Sequence, residues 1–325
     1  MSELYPLLMM LYFDERPWGT RDLSPIYSRV VGKTPIGEVW LTGDENKVAN
    51  GPFSGMTLDQ LSKRFGRELV GDTAPLPDRF PLLIKFLFPK EKLSVQVHPD
   101  DETAQAMGQP NGKTECWYVA RAVAGAQVGL GLKPGTTREE FARSIEENSA
   151  EHFINWIDLH TGDMIYVDAG TVHTIAPGSI LIETQQNSDT TFRLYDYGRP
   201  RELHIEQGMR AMREQTQAGK VSREKRSGHD LLIATSRFVV ERYELKEPKR
   251  FEQEQSRTSA QILVAVDGSA AVESPGAQPV SFNRGEAVII PASMQEFTVR
   301  PQWTLEMLRM RVPAEILPPP KSTLP

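Results

Sequence analysis

Gly and Pro break this chain into many short runs in which apolar and polar residues alternate, and that punctuation limits the fold more than any other feature. There are 24 of each in 325 residues. Runs with strand alternation occur at 37–42 (GEVWLT), 82–87 (LLIKFL), 93–98, 114–120 (TECWYVA), 126–131 (AQVGLG), 163–168 (DMIYVD), 180–185 (ILIETQ) and 190–195. Many short strands between turn residues predict a β-sandwich or barrel. Helices fit in three places. Thr57 with Gln60, and Thr137 with Glu140, form capping-box pairs, and 204–215 puts Ile205, Met209 and Met212 on one stripe. After the polar stretch GKVSREKRSG (219–228), strands resume at 237–245, 260–268, 269–274, 286–292 and 296–301. We therefore expect two domains, 1–228 and 229–325. GDMIYVDAGTVH (162–173) and GEAVIIPASMQE (285–296) share length and pattern, which is read as two copies of one β fold, with chance similarity of two short β hairpins as the alternative. In the second copy Glu296 stands where the first has His173, and Gln261 lies near the position of Glu115, so no metal centre is expected there.

Composition removes several function classes. With 39% apolar and 25% charged residues the chain reads as soluble and globular, and a net charge of -6 gives no basis for nucleic-acid binding. The only basic cluster, Lys220, Arg223, Lys225 and Arg226, is interleaved with Ser222 and Glu224 and reads as a solvated linker. A single cysteine, Cys116, precludes an internal disulfide and suits a reducing, cytoplasmic setting. The apolar run Leu7–Phe13 lacks a basic flank and a cleavage site, and no run approaches membrane-spanning length. The proline-rich ILPPPKSTLP at the end is expected to be a loose tail.

The stretch LSVQVHPDDE (93–102) concentrates the chemistry. Leu93, Val95 and Val97 fall on one strand face; Ser94, Gln96 and His98 fall on the other. Alternation also puts Lys113, Glu115 and Trp117 on one face of GKTECWYV, and His173 closes the turn after DMIYVDAGTV. Two imidazoles, a carboxylate and an amide oxygen make an N/O site for a divalent cation. Zinc is the default, and manganese, cobalt, iron or nickel are also compatible, since no thiol is offered. His152, His160, His204 and His229 have no strand-paired partner. The acids Asp100, Asp101 and Glu102 read as the start of a helix.

These residues carry a resemblance. GDMIYVDAGTVH resembles the second cupin motif, with Asp168 where proline is usual, and Gln96-Val97-His98 with Glu115 resembles a variant of the first. LSVQVHPDDETA, GKTECWYV, GLKPGTTREEF, GTVHTI and ILIETQQNSDTTFRLYDYGRPRELH together resemble the type I phosphomannose isomerases over residues 15 to about 210. That resemblance implies a mainly β fold of two cupin-type jelly-roll β-barrels with inserted helices, the first carrying the metal site. It implies a sugar-phosphate substrate and interconversion of mannose 6-phosphate and fructose 6-phosphate through a cis-enediol, in a monomer or homodimer. One zinc would be held by Gln96, His98, Glu115 and His173. Arg193 matches the family's catalytic arginine, Lys113 its lysine before the ligand glutamate, and Ser94 and Glu183 match pocket positions. Arg199, six residues after Arg193, is the expected phosphate anchor, and Glu183 and Lys113 are both candidates for the general base. A different metal-dependent cupin and a sugar-binding cupin without catalysis are the rival readings; Lys113, Glu115 and Arg193 together exceed what binding alone requires.

Overall fold

The computed structural model of the protein describes residues 4–28, 32–253, 257–315 and 317–323. The first half contributes β1 (Leu7–Leu8), β2 (Tyr12–Thr20), β3 (Ile36–Thr42), β4 (Leu82–Leu87), β5 (Val95–Val97), β6 (Glu115–Ala122), β7 (Gln127–Leu132) and β8 (Ile154–Asp158). It continues with β9 (Met164–Val167), β10 (His173–Ile175), β11 (Ser179–Gln186), β12 (Phe192–Tyr195) and β13 (Gly219–Val221). The second half holds β14 (Glu224–Arg226), β15 (His229–Ala234), β16 (Val239–Leu245), β17 (Lys249–Glu252), β18 (Gln261–Asp267) and β19 (Ser269–Glu273). The last strands are β20 (Val280–Asn283), β21 (Ala287–Ile290), β22 (Glu296–Pro301), β23 (Leu305–Arg311) and β24 (Ser322–Thr323).

These strands form two sandwiches. The first pairs an eight-stranded sheet, β2-β3-β4-β11-β6-β9-β13-β24, with a five-stranded sheet, β12-β5-β10-β7-β8. The second pairs β1-β21-β18-β23-β16-β15-β14 with β17-β22-β19-β20. One order underlies both: β3-β4-β11-β6-β9 against β15-β16-β23-β18-β21, and β5-β10-β7-β8 against β17-β22-β19-β20. GDMIYVDAGTVH and GEAVIIPASMQE are the same β9–β10 and β21–β22 corner in the two units, and Pro291 stands in the second where Asp168 stands in the first. Both units are double-sheet jelly rolls of cupin type, with their sheets face to face and not joined into closed barrels.

Period-2 alternation decides which layer each side chain joins. On β6, Trp117 and Val119 enter the core of the first sandwich, while Cys116 and Tyr118 turn toward the second unit. On β18, Leu263 and Ala265 fill the second sandwich, while Ile262 and Val264 turn back toward the first. The two large sheets thus bury both faces, and their near-continuous apolar strands reflect that. Helices α1 (Leu58–Phe65) and α2 (Arg67–Val70) join this shared core. Helices α3 (Asp101–Ala106), α4 (Arg138–Glu146) and α5 (Ile205–Ala211) belong to the first unit, with α4 and α5 packed on the outer face of the five-stranded sheet.

Both capping boxes form, at Thr57–Gln60 and Thr137–Glu140. Asp100 caps α3 through Thr103 N at 2.8 Å. Three expectations change. The third helix ends at Ala211, because Met212 is extended and the next amide, Arg213 N, donates to Gly170 O. Inside the 219–228 stretch the chain changes sheets, with β13 pairing in the first unit and β14 in the second. Ser322 and Thr323 of the tail pair with Val221 and Lys220, while Ile316, Leu324 and Pro325 lie outside the described residues.

Phe86 of β4 is fully buried in the shared core, stacked near Phe88 and edge-on to Tyr27. Phe86→Ala should cost about 3–5 kcal/mol. Because its core spans both units, calorimetry should show one endotherm moved downward intact; a split into two would contradict the shared core.

Candidate metal centre and active-site pocket

Register and alternation bring the polar residues of the sequence motifs together. Gln96 on β5 pairs with His173 of β10 on one side and with Arg193 of β12 on the other. His98, two residues on, keeps the same face. Glu115 opens β6 in the facing eight-stranded sheet. Three donors therefore come from one sheet and the fourth from the other.

His98 Nδ1 donates to Thr190 O at 2.9 Å, and His173 Nδ1 donates to Thr171 O at 2.9 Å. These bonds leave each Nε2 as a bare lone pair. The two Nε2 atoms lie 3.5 and 3.4 Å from the oxygens of Glu115. Burial lowers both rings, His98 well below the ordinary imidazole range and His173 to about 4, so neither is protonated near neutral pH. His98 Nε2 and both Glu115 oxygens are buried without a hydrogen-bond partner. The Lys113 ammonium, 3.2 Å from Glu115 Oε2, is an ion-pair neighbour outside hydrogen-bond geometry. Acceptor facing acceptor in a dry interior is costly unless a cation lies between them.

Gln96 completes the set. Its Nε2 lies 3.2 Å from His173 Nε2, and its Oε1 accepts from Ser94 Oγ at 3.1 Å. Half a turn of the amide presents Oε1 to a cation and Nε2 to Ser94 Oγ, which accepts as readily as it donates. The donor set fits a divalent metal. Asp168 supplies by side chain what proline supplies by ring: it accepts from Thr171 Oγ1 at 2.8 Å and from Gln217 N at 3.1 Å. The turn that aims His173 is thereby held.

Beside this cluster opens a cavity of about 220 Å³ whose wall includes Ser94, Gln96, Lys113, Glu183 and Arg193. Arg199 is not on that wall. Its guanidinium is bound to Asp196 and to Lys92 O, and Arg201, sharing Asp196, lines the cavity in its stead. Motif spacing located this loop but not the direction of its side chains.

The wall also holds residues the sequence reading passed over: Arg16, Glu38, Lys85 and Asp189. Lys85 is 2% exposed and lies 3.3 Å from Glu38, 3.7 Å from Glu183 and 3.2 Å from Asp189. Burial opposes its charge, but the carboxylates of Glu38, Asp189 and Glu183 outweigh burial and raise the ammonium above its ordinary value. The signal was a lone lysine in the apolar run LLIKFL. Glu183 directly opposes Lys85 across the β4–β11 pair and accepts from Trp117 Nε1 at 3.0 Å. Burial and the charge of Glu115 push its carboxyl up to about 7.

Residues 18–125 match the family model "Phosphomannose isomerase type I, catalytic domain", and 229–309 match "Mannose-6-phosphate isomerase, cupin domain". A probable mannose-6-phosphate isomerase of Bacillus subtilis is 33% identical over 312 residues, 91% of this chain and 96% of that protein. The chain belongs to the type I mannose-6-phosphate isomerase family. A mannose-6-phosphate isomerase of Streptococcus mutans is 31% identical over 90% of this chain and 94% of its own length. The crystal structure of mannose 6-phosphate isomerase from Bacillus subtilis superposes with TM-score 0.83 at 31% identity, covering 94% of this chain and 99% of that one. A phosphomannose isomerase mutant from Salmonella typhimurium, at 15% identity and TM-score 0.79, shares the fold. The family is one of metal-dependent isomerases, and among the described residues His98, Glu115 and His173 form the cluster able to hold an ion.

Lys85→Met would leave Glu38, Glu183 and Asp189 around a buried site without its cation. A loss of about 3–5 kcal/mol is expected in denaturant unfolding. A change under about 1 kcal/mol would mean that these carboxylates are compensated elsewhere.

Proposed function

We propose that this pocket interconverts mannose 6-phosphate and fructose 6-phosphate by moving a proton between C1 and C2 through a cis-enediol, with zinc as the bound cation. The observation that carries this reading is the meeting of an N/O donor cluster with a cavity wall that holds a carboxyl titrating near 7 among several cations. Gln96, His98, Glu115 and His173 would hold the cation, which when bound supplies charge stabilisation to the substrate oxygens.

The chain's own residues do the rest. Glu183, poised close to neutrality, takes the proton from one carbon and returns it to the other. Lys113, buried beside Glu115, and Arg193 on the cavity wall face the negative charge that develops on the oxygens, where cations held in place before the reaction stabilise it. Ser94 offers a hydroxyl to the sugar. The phosphate dianion falls to Arg201 on the wall, whose planar donors suit its oxygens, with Arg199 and Asp196 bracing it from behind. The first sandwich, built mostly from residues before 222, acts as the catalytic unit and the second as a companion without metal ligands. A cytoplasmic setting rests on the single buried thiol, Cys116. No helix of the described residues is long and apolar enough to cross a membrane.

His98→Ala should lose bound metal and isomerase activity together, read by metal analysis and a coupled assay of fructose 6-phosphate formation. Arg193→Ala should keep the metal and lose about 10²–10³ in kcat. Metal-loaded protein without turnover would leave a sugar-binding cupin as the better reading.

As a base Glu183 must be ionised, so activity should rise with pH through its titration. A bound cation favours the carboxylate, so the acidic limb of kcat/KM should fall between the ordinary 4.5 and about 7. Glu183→Gln should remove activity across the range. A profile flat down to pH 4.5 would take the role of base away from Glu183.

A further inference from the structure

Ladder hydrogen bonds fix Gln96 and His173 relative to one another within the five-stranded sheet, and His98 follows from the same strand. No ladder joins β5 to β6, so the separation of His98 from Glu115 must be set elsewhere. The link is made where the turn after β5 meets the segment leading into β6. Lys113 N donates to Pro99 O at 3.0 Å, and Gly112 N donates to Asp101 Oδ1 at 2.8 Å. The backbones approach so closely that a Cβ on Gly112 would stand 2.5 Å from Asp100 C and 2.6 Å from Pro99 O. Asp101 Oδ1 also accepts from Gln186 Nε2 at 3.0 Å. Gln186 in turn clasps Thr114 from both sides, accepting its N–H at 3.0 Å and donating its own N–H to Thr114 O at 3.1 Å. Thr114 lies between Lys113 and Glu115. One carboxylate oxygen therefore ties the entry to Glu115 to the turn that follows His98.

The other oxygen reaches the second unit. Asp101 Oδ2 lies 2.5 Å from an Arg237 terminal nitrogen, and Arg237 sits in the turn between β15 and β16. A cavity of about 480 Å³ between the units is lined by Asp101, Gln186 and Arg237. The Arg237 side chain is 41% exposed, so truncating it opens no buried void.

We propose that Asp101, held by Arg237 of the second unit, is a positioning residue that sets the spacing of His98 and Glu115 and with it the affinity of the metal site. This rests on the metal-site reading above. It also gives the second unit a direct hold on the chemistry of the first. Asp101 touches neither substrate nor metal, and its effect passes through Gly112, Gln186 and Thr114.

The test is zinc titration of the metal-free protein against a chromophoric chelator, at a temperature where every variant is folded. Wild-type protein should take about one equivalent; if it takes none, the metal-site reading itself fails and is distinguished from a failure of this proposal. Asp101→Ala should raise the dissociation constant about 10- to 100-fold. Arg237→Ala should raise it about threefold or more, as suits a partly exposed ion pair. The double variant should be no weaker than Asp101→Ala alone, and full additivity would overturn the claim that Arg237 acts through Asp101. A merely structural role would lower the melting temperature of the metal-free variants and leave their dissociation constants within about twofold of wild type, which would overturn the proposal. Should Asp101→Ala not fold, Arg237→Ala and Asp101→Asn, which keeps an acceptor for Gly112 N–H, carry the same decision.

Discussion

A buried carboxylate with no proton donor of its own governs the first unit. Glu115 lies between two imidazoles that burial keeps neutral and that present lone pairs, not protons. The Lys113 ammonium eases this without satisfying it. A side chain in that position is costly in an empty fold and favourable around a divalent cation. Because the donors come from opposite sheets, whatever holds the sheets in register also holds the site. Hence the short, closely bonded turn after His98, and hence a glycine at 112 where the two backbones leave no room for a side chain.

The second unit meets the same problem and solves it with a charged side chain of its own. Following the ladders strand by strand, Glu115 corresponds to Gln261, Glu183 to Arg309 and Lys85 to Glu241. The buried Lys–Glu pair of the first unit is thus reversed in sign in the second. Arg309 donates to Gln261 Oε1 at 2.6 Å and lies 3.3 Å from Glu241. A tethered guanidinium supplies there the positive charge that a cation at Glu115 would supply in the first unit. At the position of His173 stands Glu296, half out of the fold and paired with Arg250. One fold can thus host an open, metal-dependent site and a closed, self-neutralised one.

Much of this was legible in the sequence, for a definable reason. Strand period is exact, so Ser94, Gln96 and His98 had to share a face, as did Lys113, Glu115 and Trp117. Capping boxes are local, and both formed as read. What alternation cannot supply is the direction of a loop side chain, and Arg199 turned to Asp196 while Arg201 took the cavity wall. Long-range partners were equally hidden. Nothing near Lys85 in sequence indicates Glu38, Glu183 or Asp189, although a lysine in an apolar strand always requires some such company. The acids after His98 read as a helix start, which Asp100 is. Asp101 does more, because its partners Gly112, Gln186 and Arg237 are 11 or more residues away.

Lys85 makes the asymmetry of the pocket intelligible. Of the three carboxylates around it, Asp189 is half-exposed while Glu38 and Glu183 are buried, and those two titrate far apart. Glu38 has Lys85 at 3.3 Å, Arg16 at 3.2 Å and the indole N–H of Trp40 at 2.7 Å. Burial would raise it, but those partners win and hold it at about 2. Glu183 has Lys85 only at 3.7 Å, a single indole N–H, and the charge of Glu115 acting against it, so burial wins and it stands at about 7. Separation of this kind divides labour between like groups. Glu38 is a permanent anion that keeps Lys85 and Arg16 in place, and Glu183 is the group free to gain and lose a proton. A cation bound at Glu115 would weaken the repulsion that raises Glu183 and move it toward the ionised form, so that metal binding and the ionisation of Glu183 would be coupled through one intervening charge.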